Sequence, residues 1–244
     1  MAALIETKKL VKAYKSGDGV STILKGIDFS VERGEFVSIM GRSGAGKSTL
    51  MYQMSLLDEP TSGDISIDGT NTRHMSEKEK AAFRLRKFGF VFQDYALMPE
   101  LTATENIVLP LLMESYTFTQ AQAMAADALT RVGLGHRLHN VPSQLSGGEQ
   151  QRVSIARAIA EQPEILFADE PTANLDRESA KVVIDLFLEL HAHGQTIIMV
   201  THEEEYGHVA DRIIRLDEGS IVSIEKGVRH AHARKQPTKK QSKK

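Results

Sequence analysis

The sequence predicts an α/β protein built around a largely parallel β-sheet. Two observations carry that expectation. Short apolar runs at 36–40, 88–92, 165–168, 196–200 and 212–216 recur along the chain, and helix-compatible stretches separate several of them. The first run leads directly into Gly41-Arg42-Ser43-Gly44-Ala45-Gly46-Lys47-Ser48, a G-x-x-x-x-G-K-S pattern, and Thr49 then opens a helical stretch over 49–57. Ahead of it, residues 4–40 alternate apolar pieces with turns. The breaks at Asp18-Gly19 and Arg33-Gly34 predict strands and hairpins, hence an antiparallel N-terminal part. After Asp94 the character changes: Ala121, Met124, Ala125, Ala128, Leu129 and Val132 share one helical face. A mostly helical lobe over about 94–144 is expected as an insertion in a core domain spanning 1–225.

Composition narrows the classes of function. With 41% hydrophobic residues in 244, the chain can bury a sizeable core, and 30 Lys and Arg against 32 Asp and Glu give no global signal for a polyanion partner. The charge is uneven. Eight of the basic residues lie from Lys226 onward with no acid among them, so residues 226–244 are expected to form a basic, disordered tail. Cysteine is absent, which excludes disulfide and thiolate chemistry. No apolar run approaches the roughly 20 residues that span a bilayer, and the stretch from Met1 to Lys8 lacks the ordering of a signal peptide. A soluble protein of a reducing compartment is expected, with any membrane role exercised through a partner.

Three segments carry chemistry. A loop that closes backbone N–H groups around phosphate oxygens needs small residues, which Gly41, Gly44 and Gly46 supply. Lys47 is then placed to reach the terminal phosphates, Ser48 to ligate Mg²⁺, and the following helix adds the positive end of its dipole. The run at 165–168 ends in Asp169 and Glu170, a carboxylate pair that is costly to bury unless it serves a metal or a proton transfer. Asp169 suits Mg²⁺ through water, and Glu170 suits a general base. The third segment, Ser146-Gly147-Gly148-Glu149, opens a helical stripe with a hydroxyl and two glycines, which predicts a second anion site.

Together these motifs resemble those of the ATP-binding cassette (ABC) ATPases, and the resemblance covers about Leu4 to Glu225. Gln93 sits after the 88–92 run like that family's Q-loop glutamine, Asn174-Leu175-Asp176 resembles its D-loop, and His202 follows the 196–200 run as its switch histidine does. Tyr14 stands where the family has an aromatic that stacks on adenine, although a tyrosine in an N-terminal strand packs into a core just as readily. The resemblance implies a P-loop NTPase fold of the ABC-ATPase type, with an N-terminal antiparallel β subdomain and an inserted helical subdomain. It also implies ATP and Mg²⁺ as cofactors. ATP hydrolysis would involve Glu170, His202, Lys47 and Gln93, and Ser48, Gln93 and Asp169 would hold the metal. Nucleotide contacts would run over Tyr14, Gly41, Arg42, Ser43, Gly44, Ala45, Gly46, Lys47, Ser48 and Thr49, together with Ser146, Gly147, Gly148, Glu149 and Asp176. Two copies would form a head-to-tail homodimer, each nucleotide lying between one copy's Gly41–Ser48 loop and the other's Ser146–Gly148.

Arg84-Leu85-Arg86-Lys87, the stretch from Glu105 to Leu111 and the stretch from Ala168 to Asp176 resemble one branch of that family. This branch contains the macrolide-exporter, lipoprotein-releasing and antimicrobial-peptide-resistance ATPases. It implies a separate integral membrane permease as partner and a position at the inner face of the cell membrane. The amino-acid importer ATPases and the cell-division signalling relatives remain alternatives. An ABC ATPase acting on DNA or ribosomes is disfavoured, because one ATPase unit is present with no coiled-coil insertion between Ser48 and Leu145, and no specific nucleic-acid partner is expected.

Overall fold

A computed structural model describes residues 3–16 and 19–227. Asp18 and the segment 228–244, with most of the basic tail, lie outside the described residues. The chain begins with two long strands, β1 (Ile5–Ser16) and β2 (Gly19–Val31), followed by β3 (Phe36–Met40) and α1 (Lys47–Met54). Next come β4 (Ser62–Ile67), β5 (Thr70–Asn71), α2 (Glu77–Lys87) and β6 (Phe88–Val91). Helices α3 (Ala103–Met113), α4 (Phe118–Arg131) and α5 (Gly147–Ile159) lead to β7 (Ile165–Asp169) and α6 (Arg177–Ala192). The last elements are β8 (Thr196–Thr201), the single turn α7 (Glu204–Gly207), β9 (Arg212–Asp217) and β10 (Ser220–Lys226).

Two sheets result. The N-terminal one is antiparallel, in the order β2-β1-β4-β5. The central sheet has the order β10-β9-β3-β8-β7-β6, and every pairing in it is parallel except that of β9 with β10. Every residue of β3, β7 and β8 is buried, as expected of parallel strands covered on both faces. Their side chains alternate between two cores. Ile165, Phe167, Ile198, Val200, Val37 and Ile39 face α1 and the antiparallel sheet, whereas Leu166, Ala168, Ile197 and Met199 face α3, α4, α5 and α6. Helices α3 and α4, in the 94–144 segment, bury Ile107, Leu111, Ala121, Ala125 and Leu129 in that second core.

Helix starts follow local chemistry. Ser76 with Glu79, Thr102 with Glu105, Thr117 with Gln120 and Ser146 with Glu149 form reciprocal capping boxes, each satisfying two otherwise orphaned N–H groups. The structure departs from the sequence expectation at several element boundaries and adds strands β4, β5 and β10, which the apolar runs did not predict. Helix α1 begins at Lys47, two residues earlier than predicted, because the loop delivers Gly46 as its left-handed N-cap, and it ends at Met54, before Leu56 turns to φ 59°. Strand β10 includes Lys226, which composition assigns to the tail, and Gly227 still donates its N–H to the carbonyl of Asp211.

Phe167 anchors the first core. It is fully buried, meeting Phe88 edge-on at 5.1 Å and stacking on Phe90 at 5.6 Å between ring centroids. Phe167→Ala is expected to destabilise the fold by about 3–5 kcal/mol, read as a lowered midpoint in urea unfolding. An unchanged midpoint would mean that this strand does not carry the core.

Candidate active site

The loop after β3 forms because glycine stands where no side chain fits. Gly41 has φ 154°, and a Cβ on it would lie 2.2 Å from the Leu216 carbonyl oxygen. Gly46, with φ 98°, would press a Cβ against Ile23 and Leu24. The chain then enters α1 with Lys47 and Ser48 in its first turn, aiming their N–H groups and the helix dipole at one point. The Lys47 side chain is nearly buried. Its ammonium donates to the Arg42 carbonyl at 3.3 Å and lies 3.6 Å from Glu170 Oε1.

β7 supplies the carboxylates. Asp169 accepts from the Ser48 hydroxyl at 2.9 Å and from the Tyr52 phenol at 2.8 Å. Ser48 and Tyr52 are four apart on α1 and so share a face. Burial, then the hydrogen bond to Asp169, pushes the Tyr52 phenol up to about 12, which keeps it a donor. Glu170, one residue on, adopts φ 45° and donates its N–H to the Val200 carbonyl, a non-glycine left-handed conformation of the kind found at functional sites. Its side chain lies between Lys47 and His202, whose Nδ1 is 2.8 Å from Glu170 Oε2. Against an ionised carboxylate that nitrogen is the donor, which leaves Nε2 for another partner.

The flanks are braced. The Thr172 hydroxyl donates to Glu203 at 2.9 Å, Arg215 clasps Glu204 through two bonds of 2.7 and 2.9 Å, and its Nε reaches Glu225 at 2.7 Å. Gln151 of α5 donates to the Pro171 carbonyl at 2.7 Å, tying that helix to the turn after Glu170. A cleft of about 660 Å³ opens here, lined by Met40, Gly41, Arg42, Ser43, Lys47, Gln93, Glu170, Ala173, His202, Glu204 and Arg215. Gln93 is thus in the cleft, and its carbonyl accepts from Asn174 at 3.2 Å, joining it to the Asn174–Asp176 turn. The Asp176 carboxylate caps α6 through the N–H groups of Glu178 and Ser179. Tyr14 is not among the residues that line the cleft; its phenol donates to Asp58 Oδ2 at 2.6 Å.

Ser146, Gly147, Gly148 and Glu149 do not line this cleft. Ser146 is exposed at the start of α5, accepting from the Glu149 N–H at 3.3 Å, while Glu149 accepts from the Ser146 N–H and from Arg137. Packing gives Gly148 a second reason beside the anion site that the sequence predicts. A Cβ on Gly148 would lie 2.6 Å from the Ser179 hydroxyl and 2.7 Å from the Ser179 Cβ, so close packing asks for glycine there, whereas one on Gly147 would crowd only the tip of Tyr95, 2.9 Å away. Sequence reasoning passed over Tyr52, Thr172, Glu203, Glu204 and Arg215. For Tyr52 alone a local signal existed, its i+4 spacing from Ser48.

The donor set can be tested against Mg²⁺. Ser48, Asp169 and Gln93 offer only oxygen ligands, and among the described residues no three His, Cys, Asp or Glu side chains converge as a protein-only metal cage. Few protein oxygens beside a phosphate loop suit a small hard cation that keeps waters and takes ligands from substrate phosphates. The residues fit the ion.

A glycine loop that runs from β3 into a helix, a histidine after the adjacent strand β8 and a carboxylate pair at the end of β7 beyond it define a P-loop nucleoside triphosphatase. The chain belongs to the ABC transporter family, whose model matches residues 24–173, and it is an ABC ATPase, the ATP-binding subunit of a transporter. It is 47% identical over 215 residues to the lipoprotein-releasing system ATP-binding protein LolD of Aquifex aeolicus, covering 88% of this chain and 93% of that protein. It is 45% identical to the macrolide export ATP-binding/permease protein MacB of Bdellovibrio bacteriovorus, spanning 91% of this chain but 34% of that longer protein. Among solved structures, the ATP-binding cassette MJ0796, a dimer in a post-hydrolysis state bound to ADP and Pi, superposes with a TM-score of 0.85 at 38% identity, covering 91% of this chain and 98% of that one.

Two substitutions test the site. Lys47→Ala removes the buried ammonium and is expected to weaken ATP binding about 10- to 100-fold, the scale of hydrogen bonds to charged groups; unchanged affinity in a titration would take Lys47 out of the phosphate site. Gly148→Ala is expected to cost about 1–3 kcal/mol of stability by overpacking, and Ser179→Gly in the same chain to restore most of it. A neutral Gly148→Ala would remove the packing account.

Proposed function

We propose that the protein powers a separate membrane permease of the lipoprotein-release or macrolide-export type, by ATP-driven closure of two copies and opening on hydrolysis. The observation that carries the reading is the incompleteness of the cleft. It holds the phosphate loop, Glu170 and His202, while Ser146, at the start of a second helix N-terminus with its glycines, stays outside it. A second copy, turned head to tail, supplies what is missing, and the dimeric cassette superposed above supports that arrangement. The identity to LolD and to the ATPase part of MacB supports the branch. Among the described residues no helix is long and apolar enough to cross a membrane, so the permease is the element that would hold the protein at the membrane face.

In the reaction, Lys47 exchanges Glu170 for the β- and γ-phosphate oxygens, and the N–H groups of the loop and of α1 hold the phosphates in place. Glu170, released from Lys47 but still held by His202, accepts a proton from a water as its oxygen attacks the γ-phosphorus. The bond to the β–γ bridging oxygen breaks, giving ADP and phosphate. His202 Nε2 is placed to donate to the γ-phosphate, and Ser146 of the second copy to contact it from the opposite side. Mg²⁺ held by Ser48, Asp169 and Gln93 would offset the negative charge of the phosphates. Tyr14 stacks on the base.

Glu170→Gln keeps the size and loses the base. It is expected to cut turnover at least ~100-fold, the low end of general-base contributions, and to accumulate an ATP-bound dimer by light scattering. A monomer at saturating ATP would sink this reading.

A further inference from the structure

Tyr14 is held more firmly than a solvent-facing tyrosine needs to be. It lies near the end of β1 with Lys12 two residues earlier, so both side chains leave the same face of the strand. The Lys12 ammonium sits 4.7 Å from the centre of the Tyr14 ring, a cation over an aromatic face. Lys12 is nearly buried, and it donates at 2.6 Å both to Asp58 Oδ1 and to the Glu59 carbonyl. The other oxygen of the same carboxylate, Asp58 Oδ2, accepts from the Tyr14 phenol at 2.6 Å. Asp58 itself is fixed to the phosphate-binding helix, since its N–H donates to the Tyr52 carbonyl of α1.

The geometry points to Asp58 as a positioning residue for the nucleotide base: it fastens the Tyr14 phenol and the Lys12 ammonium together, so that one face of the ring is covered and the other is presented. This rests on the reading of Tyr14 as the base platform. The physical gain is preorganisation, because a side chain whose torsions are already fixed loses less freedom when a ligand stacks on it. The charges are arranged to suit. Burial alone would raise the Asp58 carboxyl, but hydrogen bonds from Lys12 and Tyr14 hold it below its ordinary range. The phenol is pushed up to about 12, by burial first and then by Asp58, and so remains the donor. Lys12 also compensates the carboxylate that would otherwise repel a triphosphate bound nearby.

The test compares ATP with tripolyphosphate, which has the phosphates and no base, by calorimetric titration of the full chain. Asp58→Asn and Tyr14→Phe are each expected to weaken ATP binding about 3- to 10-fold, the worth of one hydrogen bond, and to leave tripolyphosphate binding unchanged. The double variant should be no weaker than the weaker single one, because the two act through one bond. Tyr14→Phe stands in for Asp58→Asn if the latter lowers the unfolding temperature. Tyr14→Ala separates the two readings. If it weakens ATP while Asp58→Asn and Tyr14→Phe bind as the parent does, the platform stands and the positioning role of Asp58 is overturned. If Tyr14→Ala leaves ATP affinity unchanged, the platform fails and the proposal fails with it. An equal loss for ATP and tripolyphosphate in Asp58→Asn would show a general structural role and overturn the proposal as well.

Discussion

Three adjacent parallel strands finish at one edge of the central sheet, and the site depends on their register. Met40 of β3 lies opposite Thr201 of β8, and Val200 of β8 lies opposite Asp169 of β7. The residues that follow, Gly41, His202 and Glu170, therefore emerge side by side although they are far apart in sequence. A slip of one residue along β7 would turn Phe167 into the wrong core and carry Asp169 away from Ser48, since side chains alternate at every step. Core packing and site geometry are thus set by the same pairing.

Electrostatics then decides how the cleft is held before any nucleotide arrives. Lys47 and Glu170 are both largely buried, and each is the other's counter-charge, with His202 on the far oxygen. Buried charges persist when paired and supplied with hydrogen bonds, and this pair has both. On the proposed reading an arriving polyphosphate would compete for the ammonium and would meet a group already desolvated. Asp169 follows the same logic with neutral partners, Ser48 and Tyr52, which satisfy its two oxygens from one helix face.

Much of this was legible in the sequence because it is local. The runs that became β3, β7 and β8 are apolar but for Ser38 and Thr196, as suits doubly covered strands, and Gly41–Ser48 sits between strand and helix as its pattern requires. Strands β4 and β10 were missed for the same kind of reason. Ser62-Gly63-Asp64 dilutes the apolar signal of one, and the other leaves Val222 and Ile224 exposed, so neither stands out from a polar loop. Within the site, the phosphate loop, the carboxylate pair and the histidine could be named from their motifs. Their braces could not, because Thr172 with Glu203 and Arg215 with Glu204 are contacts that only the fold creates. Gly148 shows the converse hazard: a motif suggested an anion site, while the packing of α5 against Ser179 asks for glycine as well.

The two-sided burial of β3, β7 and β8 has a mechanical consequence. A strand whose alternate side chains interlock with separate cores cannot slide or rotate without opening voids on both sides at once, and interiors packed to crystal-like density resist that strongly. The sheet therefore behaves as a stiff chassis. Displacement accompanying a change of ligand would then fall to parts held at its end by polar contacts, the turn carrying Gln93 and the turn at Asn174, which Asn174 joins through the Gln93 carbonyl and the Asp94 carboxylate. Work done on another protein would leave this one through its loops and peripheral helices, with the strands serving as the fixed frame they push against.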